Sequence, residues 1–297
     1  MGRILVGISS WAEPELVRSG FFPDEVKTAE ARLGYYASRF PVAEIDSSYH
    51  FFPTQRNLAL WIENTPDGFT FDVKVFSLFT QHPTPFAALP RTMRGQHGGQ
   101  IQAKANVYLH HLPNAAVDGL WAIFVRTIEL FQTAGKLGAV LFQFPPWFHP
   151  EPKNFDYISS CRERLSRYQV AVEFRVGSWL DKQSEETLKF LREHGIALVC
   201  VDEPQGFKSS VPPVAEVTST LAIVRFHGRN KEQWECKGIP STEKLSYLYS
   251  EDESQNWVPR IRSMVEVTKE LHILFKNKHA DFPVKNAIRM KELLDLT

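Results

Sequence analysis

Short apolar runs alternate along the chain with longer polar or amphipathic stretches. Eight of these runs are rich in β-branched and aromatic residues, which is typical of buried β-strands. They cover Ile4 to Ser9, Ala43 to Ser47, Phe69 to Val75, Ala139 to Phe144, Val170 to Arg175, Ala197 to Asp202, Ala222 to Gly228 and His272 to Asn277. Eight strands in a βα rhythm predict an α/β fold, a single (β/α)8 TIM barrel that spans residues 1–297.

The stretches between the strands predict helices with the period of an amphipathic face. They cover Thr28 to Phe40, Thr54 to Asn64, Asp118 to Gly135, Asn154 to Arg167, Ser184 to His194, Asn256 to Glu270 and Val284 to Leu294. Thr54, Asp118 and Ser184 are predicted helix starts, because their side chains can cap free backbone N–H groups. The stretch from Glu203 to Thr220 contains three prolines and is predicted to be irregular.

A long insertion follows the third predicted strand, at about residues 76–117. It is rich in Pro and Gly and weakly periodic, and loops of this length are usually functional or disordered. In a barrel it would lie over the C-terminal face, where the active sites of this fold are built. A lid and a disordered surface loop are both open interpretations.

Composition changes the picture in two respects. Lys+Arg and Asp+Glu are equal at 34 each, so the formal net charge is zero and any charged partner must be held by a local patch. Three widely spaced cysteines favour a reducing, cytoplasmic location over a disulfide framework. The apolar run near the start is short and is interpreted as a strand, and no apolar run reaches ~18 residues, so we expect no membrane anchor.

Charged residues at the ends of predicted strands point to chemistry. A barrel strand reads as apolar throughout, so polar residues in these runs are exceptions that are costly to bury unless paired. The exceptions, nearly all at C-terminal strand ends, are Glu44, Asp46, Asp72, Lys74, Gln143, Glu173, Arg175, Asp202, Arg225, His227, Arg229 and Asn277. Two interpretations remain open, a functional site and a set of ion pairs that only fills the barrel.

The cationic members of this set favour an anionic ligand. Lys74, Arg175, Arg225 and Arg229 converging on one mouth would bind phosphate or carboxylate groups. His227 is the candidate general acid or base, since its ordinary pKa lies near neutrality, and Glu173, Glu44 and Asp46 are alternatives.

Aromatic residues just beyond the strand ends are candidates for stacking on a ligand. They are Trp11, Tyr49, Trp147 and Trp179, for which core packing is the alternative. A metal held by Glu44, Asp46, Glu173, Asp202 and His227 is less favoured, because metal-ligand spacing is missing and arginines would oppose a cation. Phosphate-loop and nucleophile-elbow motifs are absent, and the cofactor stays unknown.

Several motifs resemble one known family in the right order along nearly the whole chain. They are Gly7-Ile-Ser-Ser-Trp11, Glu44-Ile-Asp-Ser-Ser-Tyr49, Gly68-Phe-Thr-Phe-Asp-Val-Lys74, Leu141-Phe-Gln-Phe-Pro-Pro146, Val172-Glu-Phe-Arg175 with Ser178-Trp179, Arg225-Phe-His-Gly-Arg229, and Asn286-Ala287. This set is similar to the YecE-like family, domain of unknown function 72. The resemblance implies a TIM barrel and a ligand contact at Asn277 and Asn286, but no reaction, because the family is functionally uncharacterised. Lys276 and Val176 stand where the family commonly has Asn and His.

Three hypotheses for the function follow. The first is an enzyme, a hydrolase, lyase or isomerase, acting on a small phosphorylated or carboxylated substrate. The second is a metal-dependent nucleic-acid-processing barrel, with Arg91, Arg94, His97 and Lys104 as a local basic patch. The third is a non-catalytic ligand-binding protein.

Overall fold

The computed structural model describes residues 2–95, 105–181 and 184–296. Within them, eight parallel strands close a barrel in the spatial order β1-β10-β9-β8-β7-β6-β3-β2. The barrel strands are β1 (Arg3–Ile8), β2 (Val42–Ile45), β3 (Thr70–Lys74), β6 (Leu137–Gln143), β7 (Val170–Glu173), β8 (Ala197–Asp202), β9 (Leu221–Phe226) and β10 (Glu270–Phe275). All eight predicted strands are present with ends shifted by a few residues, and the TIM-barrel prediction is confirmed.

Helices follow most barrel strands and cover the outside of the barrel. They are Pro14–Arg18, Ala29–Ala37, Gln55–Glu63, Asn114–Thr133, Pro152–Arg164, Ser184–Glu193, Ser241–Lys244, Glu251–Gln255, Val258–Glu266 and Phe282–Leu293. Thr54 is confirmed as a cap, since its hydroxyl accepts the backbone N–H of Asn57. The stretch between β8 and β9 is irregular, as its prolines predicted.

Two helix predictions are wrong in their bounds. The helix predicted to start at Asp118 begins at Asn114, directly after Pro113, whose fixed φ suits the entry to a helix. Asp118 lies inside it and forms a salt bridge with Arg164. The helix predicted at 256–270 is divided: Ser250 caps an earlier turn, a second helix begins at Val258, and Glu270 already belongs to β10.

The described part of the insertion is folded against the barrel. Phe76, Leu78 and Phe79 are buried, and the Phe79 ring stacks on Trp121 with centroids 3.9 Å apart. Two short antiparallel strands, β4 (Thr84–Pro85) and β5 (Asn106–Val107), connect its two halves. The lid hypothesis stays a prediction, and residues 96–104, which include His97 and Lys104, lie outside the described residues.

Alternation along the strands fixes which side chains enter the barrel. Residues two apart share a face, so one set packs against helices and the other fills the interior. Gly138 on β6 shows how tight the interior is, because a Cβ there would lie 2.5 Å from Asp72 Oδ1 and 2.8 Å from the His272 ring. No helix in the described part of the chain is long and apolar enough to cross a membrane.

Candidate functional site

A buried arginine ties three strands together through the middle of the barrel. Arg225 on β9 donates to Glu44 on β2 at 2.8 Å and also to Glu173 on β7, and all three side chains are fully buried. These strands are not neighbours in the sheet, so the contacts must cross the barrel interior. A buried guanidinium between two carboxylates is the paired arrangement that such charges require.

Glu173 has four polar or charged partners inside the barrel. Besides Arg225, its side chain accepts Gln143 Nε2 at 2.6 Å and Arg175 Nη1 at 3.2 Å, and lies 3.0 Å from His227 Nε2. Burial would raise the pKa of Glu173, but Arg225, His227 and Arg175 together hold it well below the usual range. Glu173 is therefore ionised at neutral pH.

His227 is held as a neutral imidazole. Burial lowers its pKa to about 3, and Arg175 and Arg225 contribute to the lowering although Glu173 opposes it. Because Glu173 is ionised and can only accept a hydrogen bond, His227 Nε2 carries the hydrogen and donates a hydrogen bond to the carboxylate. Nδ1 is then left with a lone pair, so His227 can accept a hydrogen bond from a ligand.

Three lysines surround the carboxylate of Asp46. Lys74 and Lys276 lie 3.1 and 3.0 Å from Oδ1, and Lys278 lies 3.2 Å from Oδ2. Burial would raise the pKa of Asp46, but the three lysines keep it well below its usual value. Lys74 also lies over the Tyr49 ring, 4.2 Å from its centroid. One carboxylate is therefore shared by three lysine side chains at this edge of the mouth.

Arg175 joins the buried network to the outer rim. Its Nη1 donates to Glu203 Oε2 at 2.7 Å, and its guanidinium lies 4.9 Å from the centre of the Trp234 ring. Burial raises the pKa of Glu203 to about 7, although Arg175 opposes the rise. Arg175 keeps 17% of its side chain exposed, so it can still contact a ligand while the carboxylates position it.

Asp46, Arg175 and His227 border a cavity of about 810 Å³ above the carboxyl ends of the strands. Its lining includes seven basic residues, Lys74, Arg175, Lys208, Lys237, Lys244, Lys276 and Lys278. Among the described residues, the acidic members of the lining are Asp46 and Glu235, and Tyr49, Trp147 and Trp234 supply aromatic surface. A concave site with this charge and these rings fits a small anionic molecule.

The structure brings together most of the predicted strand-end residues. Asp46, Tyr49, Lys74, Gln143, Arg175 and His227 line the cavity. Glu44, Glu173 and Arg225 lie beneath it as the buried network described above. Asp202, Arg229, Asn277, Asn286, Trp11 and Trp179 do not line it.

Asp202 does not share the face of the other charges, contrary to the sequence prediction. It accepts Arg229 Nε at 2.7 Å and Trp257 Nε1 at 2.7 Å, and Trp257 directly precedes the helix Val258–Glu266. Arg229 does not continue the face of Arg225 because β9 ends at Phe226 and Gly228 adopts a φ of +88°. The Asp202–Arg229 pair thus joins strand ends to a helix.

The other outlying residues have partners of their own. Asn277 donates to Asn286 Oδ1 at 2.8 Å, and Asn286 in turn bonds the backbone of Tyr249. Trp179 is fully buried and donates to the Phe148 carbonyl. Trp11 packs edge-on against Trp61. Of the four aromatic candidates, Tyr49 and Trp147 border the cavity, and Trp147 is 56% exposed.

Sequence reasoning missed several residues of the site. Lys276 had a signal, because it continues the period-two face of His272 and Leu274. Lys208, Lys237, Lys244 and Trp234 come from the long connections after β8 and β9, where no period marks direction. Among the described residues, no group of three or more His, Cys, Asp or Glu side chains has the geometry to hold a metal ion. The metal site therefore has no geometric support in this part of the chain.

Comparison with protein families now places the chain. The family model described as "Protein of unknown function DUF72" matches residues 5–297. The chain belongs to the DUF72 family. A curated relative, the UPF0759 protein YunF of Bacillus subtilis, is 30% identical over an alignment 299 positions long, which covers 99% of this chain and 95% of YunF.

Solved structures of DUF72 proteins share the fold along nearly the whole length. A DUF72 protein of Enterococcus faecalis has a TM-score of 0.79 and 26% identity, with 99% of this chain and 96% of that chain covered. A DUF72 protein of Thermotoga maritima has a TM-score of 0.77 and 29% identity, with 99% of both chains covered. The predicted resemblance is confirmed.

Proposed function

We propose that this DUF72 protein is an enzyme that binds a small phosphorylated or carboxylated substrate in the cavity at the barrel mouth. The observation that carries the proposal is the excess of basic over acidic side chains among the described residues of the cavity wall, seven against two, in a chain with no net charge. A local excess of this size in a concave, partly desolvated site attracts and holds anions.

The side chains have distinct roles in this proposal. Arg175 and Lys74 clamp the anionic group, and both are positioned by carboxylates below them. His227 accepts a hydrogen bond through Nδ1, because Glu173 fixes its other nitrogen. Arg225 supports Glu173 and does not contact the substrate, since it is fully buried. Acid/base chemistry is assigned to His227 and Asp46, and the ionised Glu173 orients the imidazole.

A thermal-shift panel of matched compounds tests the binding. Each phosphorylated or carboxylated compound is paired with its neutral counterpart, for example glucose 6-phosphate with glucose, at constant ionic strength. We expect the anionic members to raise the melting temperature and the effect to be lost in Arg175→Gln. Arg192→Gln is the matched control, because Arg192 is half exposed on an outer helix. Equal stabilisation by neutral compounds, or no effect of Arg175→Gln, would overturn the proposal.

Turnover separates an enzyme from the ligand-binding alternative. Compounds that bind are incubated with the protein and followed by NMR, and the enzyme proposal expects at least one to be converted. A set of anions that bind through Arg175 and never change would favour the non-catalytic alternative. The nucleic-acid alternative stays a prediction, with Arg91 and Arg94 as the described members of its basic patch.

A further inference from the structure

Lys276 has an unusual position for a lysine. It follows β10 directly, its backbone N–H donates to the Phe226 carbonyl at 2.8 Å, and its side chain is only 8% exposed. Lys276 nevertheless lines the cavity. A rigid strand end therefore holds a buried amine against the space proposed for the substrate.

The two carboxylates nearest to Lys276 each pair with another cationic side chain as well. Its Nζ lies 3.0 Å from Asp46 Oδ1, which Lys74 also contacts, and 3.6 Å from Glu44 Oε1, which Arg225 also contacts. Burial lowers the pKa of Lys276 to about 7; Asp46 and Glu44 oppose this lowering, and Lys74 and Arg225 add to it. A large fraction of Lys276 is thus a neutral amine near pH 7.

Lys278 provides an internal comparison. It borders the same cavity two residues further along the chain, but it pairs with Glu13 at 2.5 Å as well as with Asp46. Burial would lower the pKa of Lys278, but these two carboxylates raise it above the usual value. Lys278 therefore stays charged and suits the binding of an anion, whereas Lys276 suits a reaction as a nucleophile.

We propose that Lys276 forms a Schiff base with the carbonyl carbon of a small anionic aldehyde or ketone bound in the cavity. The inference rests on the proposed function and narrows its substrate class to 2-oxo acids and phosphorylated aldoses or ketoses. Arg175, Lys74 and Lys278 hold the carboxylate or phosphate, which leaves the carbonyl carbon to reach Lys276 Nζ.

The proposed step balances without an added reagent. The lone pair of Nζ forms a bond to the carbonyl carbon, and the electrons of the C=O double bond pass to the oxygen. Asp46, 3.0 Å from Nζ, transfers protons from nitrogen to that oxygen, which leaves as water when the C=N bond forms. The resulting imine, once protonated, withdraws electrons from the neighbouring carbon, as an aldol cleavage, a decarboxylation or a dehydration requires.

Reductive trapping tests the inference. The wild-type protein is incubated with pyruvate, glyoxylate or dihydroxyacetone phosphate and sodium cyanoborohydride, and then analysed by intact mass and by peptide mapping with a protease that does not cleave at lysine. Imine formation removes water and reduction adds two hydrogens, so the expected adduct has the mass of the probe less one oxygen. We expect one adduct per chain, on the peptide that contains Lys276, and competition by lactate or glycerol 3-phosphate.

Two variants locate the reactive amine. Lys276→Arg keeps a positive charge beside Asp46 but cannot form an imine, so the adduct yield should fall at least about tenfold. Lys189→Arg, the same change on an exposed helix, should leave the yield unchanged. Peptide mapping of the wild type locates the adduct even if Lys276→Arg does not fold.

The outcomes separate this inference from the function on which it rests. Lack of adduct with all three probes, or adducts spread over exposed lysines and undiminished in Lys276→Arg, would overturn the Schiff base. If lactate and glycerol 3-phosphate still stabilise the protein in that case, the anion-binding proposal stands by itself. If these anions do not bind either, both proposals fail.

Discussion

Removing Arg225 should expose how much the buried network contributes to stability. In Arg225→Met, Glu44 and Glu173 stay fully buried but lose the guanidinium that both contact. Breaking a buried ion pair by removing one partner costs roughly 3–5 kcal/mol, because the remaining charge is left without compensation. We expect this loss in the free energy of unfolding at pH 7, measured by equilibrium urea denaturation.

The pH dependence of that loss gives a second readout. In the wild type, the pKa of Glu173 is held well below the ordinary glutamate value of 4.5, so its stabilising contribution is fully present above pH 4.5 and is lost as the pH falls further. Without Arg225, the burial that raises the pKa of Glu173 is opposed by fewer positive charges, so the protonated form of Glu173 becomes more favourable. The difference in the free energy of unfolding between variant and wild type should therefore be smaller at about pH 5 than at about pH 8.

A matched surface variant controls for the loss of an arginine as such. Arg192 pairs with Glu216 on the surface, and both side chains are about half exposed. Arg192→Met should cost less than about 1 kcal/mol, since exposed ion pairs are weak. An Arg225→Met variant that loses less than about 1 kcal/mol, with no change between the two pH values, would refute the view that Arg225 compensates these carboxylates.

Three further predictions concern other parts of the barrel. Burial would lower the pKa of His272, but Asp72 and Glu270 raise it to about 9. The charged imidazole therefore contributes fully to the free energy of unfolding below pH 6.5, and this contribution is lost as the pH rises through about 9. His272→Gln should lack this alkaline loss of stability. Gly138→Ala should destabilise by roughly 1–3 kcal/mol in urea denaturation, because the new methyl group meets Asp72 and His272. A thiol reagent should modify one cysteine of the native protein, the exposed Cys236, and all three after denaturation.

Each of these predictions has a clear contrary result. A His272→Gln protein with the same alkaline pH profile as the wild type would contradict the raised pKa. The control for Gly138 is Gly34→Ala, where the nearest atom is 3.7 Å away and the helix should gain roughly 0.5–1 kcal/mol. A Gly138→Ala protein as stable as the wild type would mean that Asp72 and His272 can move away from the new methyl group. Rapid modification of more than one native thiol would contradict the burial of Cys161 and Cys200.

The fold was predictable because the barrel strands follow a simple rule. Both faces of a parallel barrel strand are buried, so each strand is a continuous apolar run that stands out from its amphipathic neighbours. The same rule marked Glu44, Glu173 and Arg225 as exceptions, and the structure shows that they meet inside the barrel. Helix bounds were less predictable, since Pro113 overrode the capping preference of Asp118.

The parts of the site that could not be predicted depend on loop direction. Alternation ends where a strand ends, and one positive φ at Gly228 is enough to send Arg229 toward Asp202. The lysines of the long connections have no period to mark their side, and Lys208 and Lys237 reach the cavity only through the path of the folded loop. Charge at the rim therefore has to be read from three-dimensional structure.

The most direct test of an anion site at the barrel mouth is a crystallographic one. Crystals are soaked in selenate, an analogue of sulfate and phosphate, and the anomalous signal of selenium locates each bound anion. The account predicts the strongest peak inside the cavity, within contact of Arg175 and the lysines around Asp46. Peaks only on the outer surface, with an empty cavity, would contradict it.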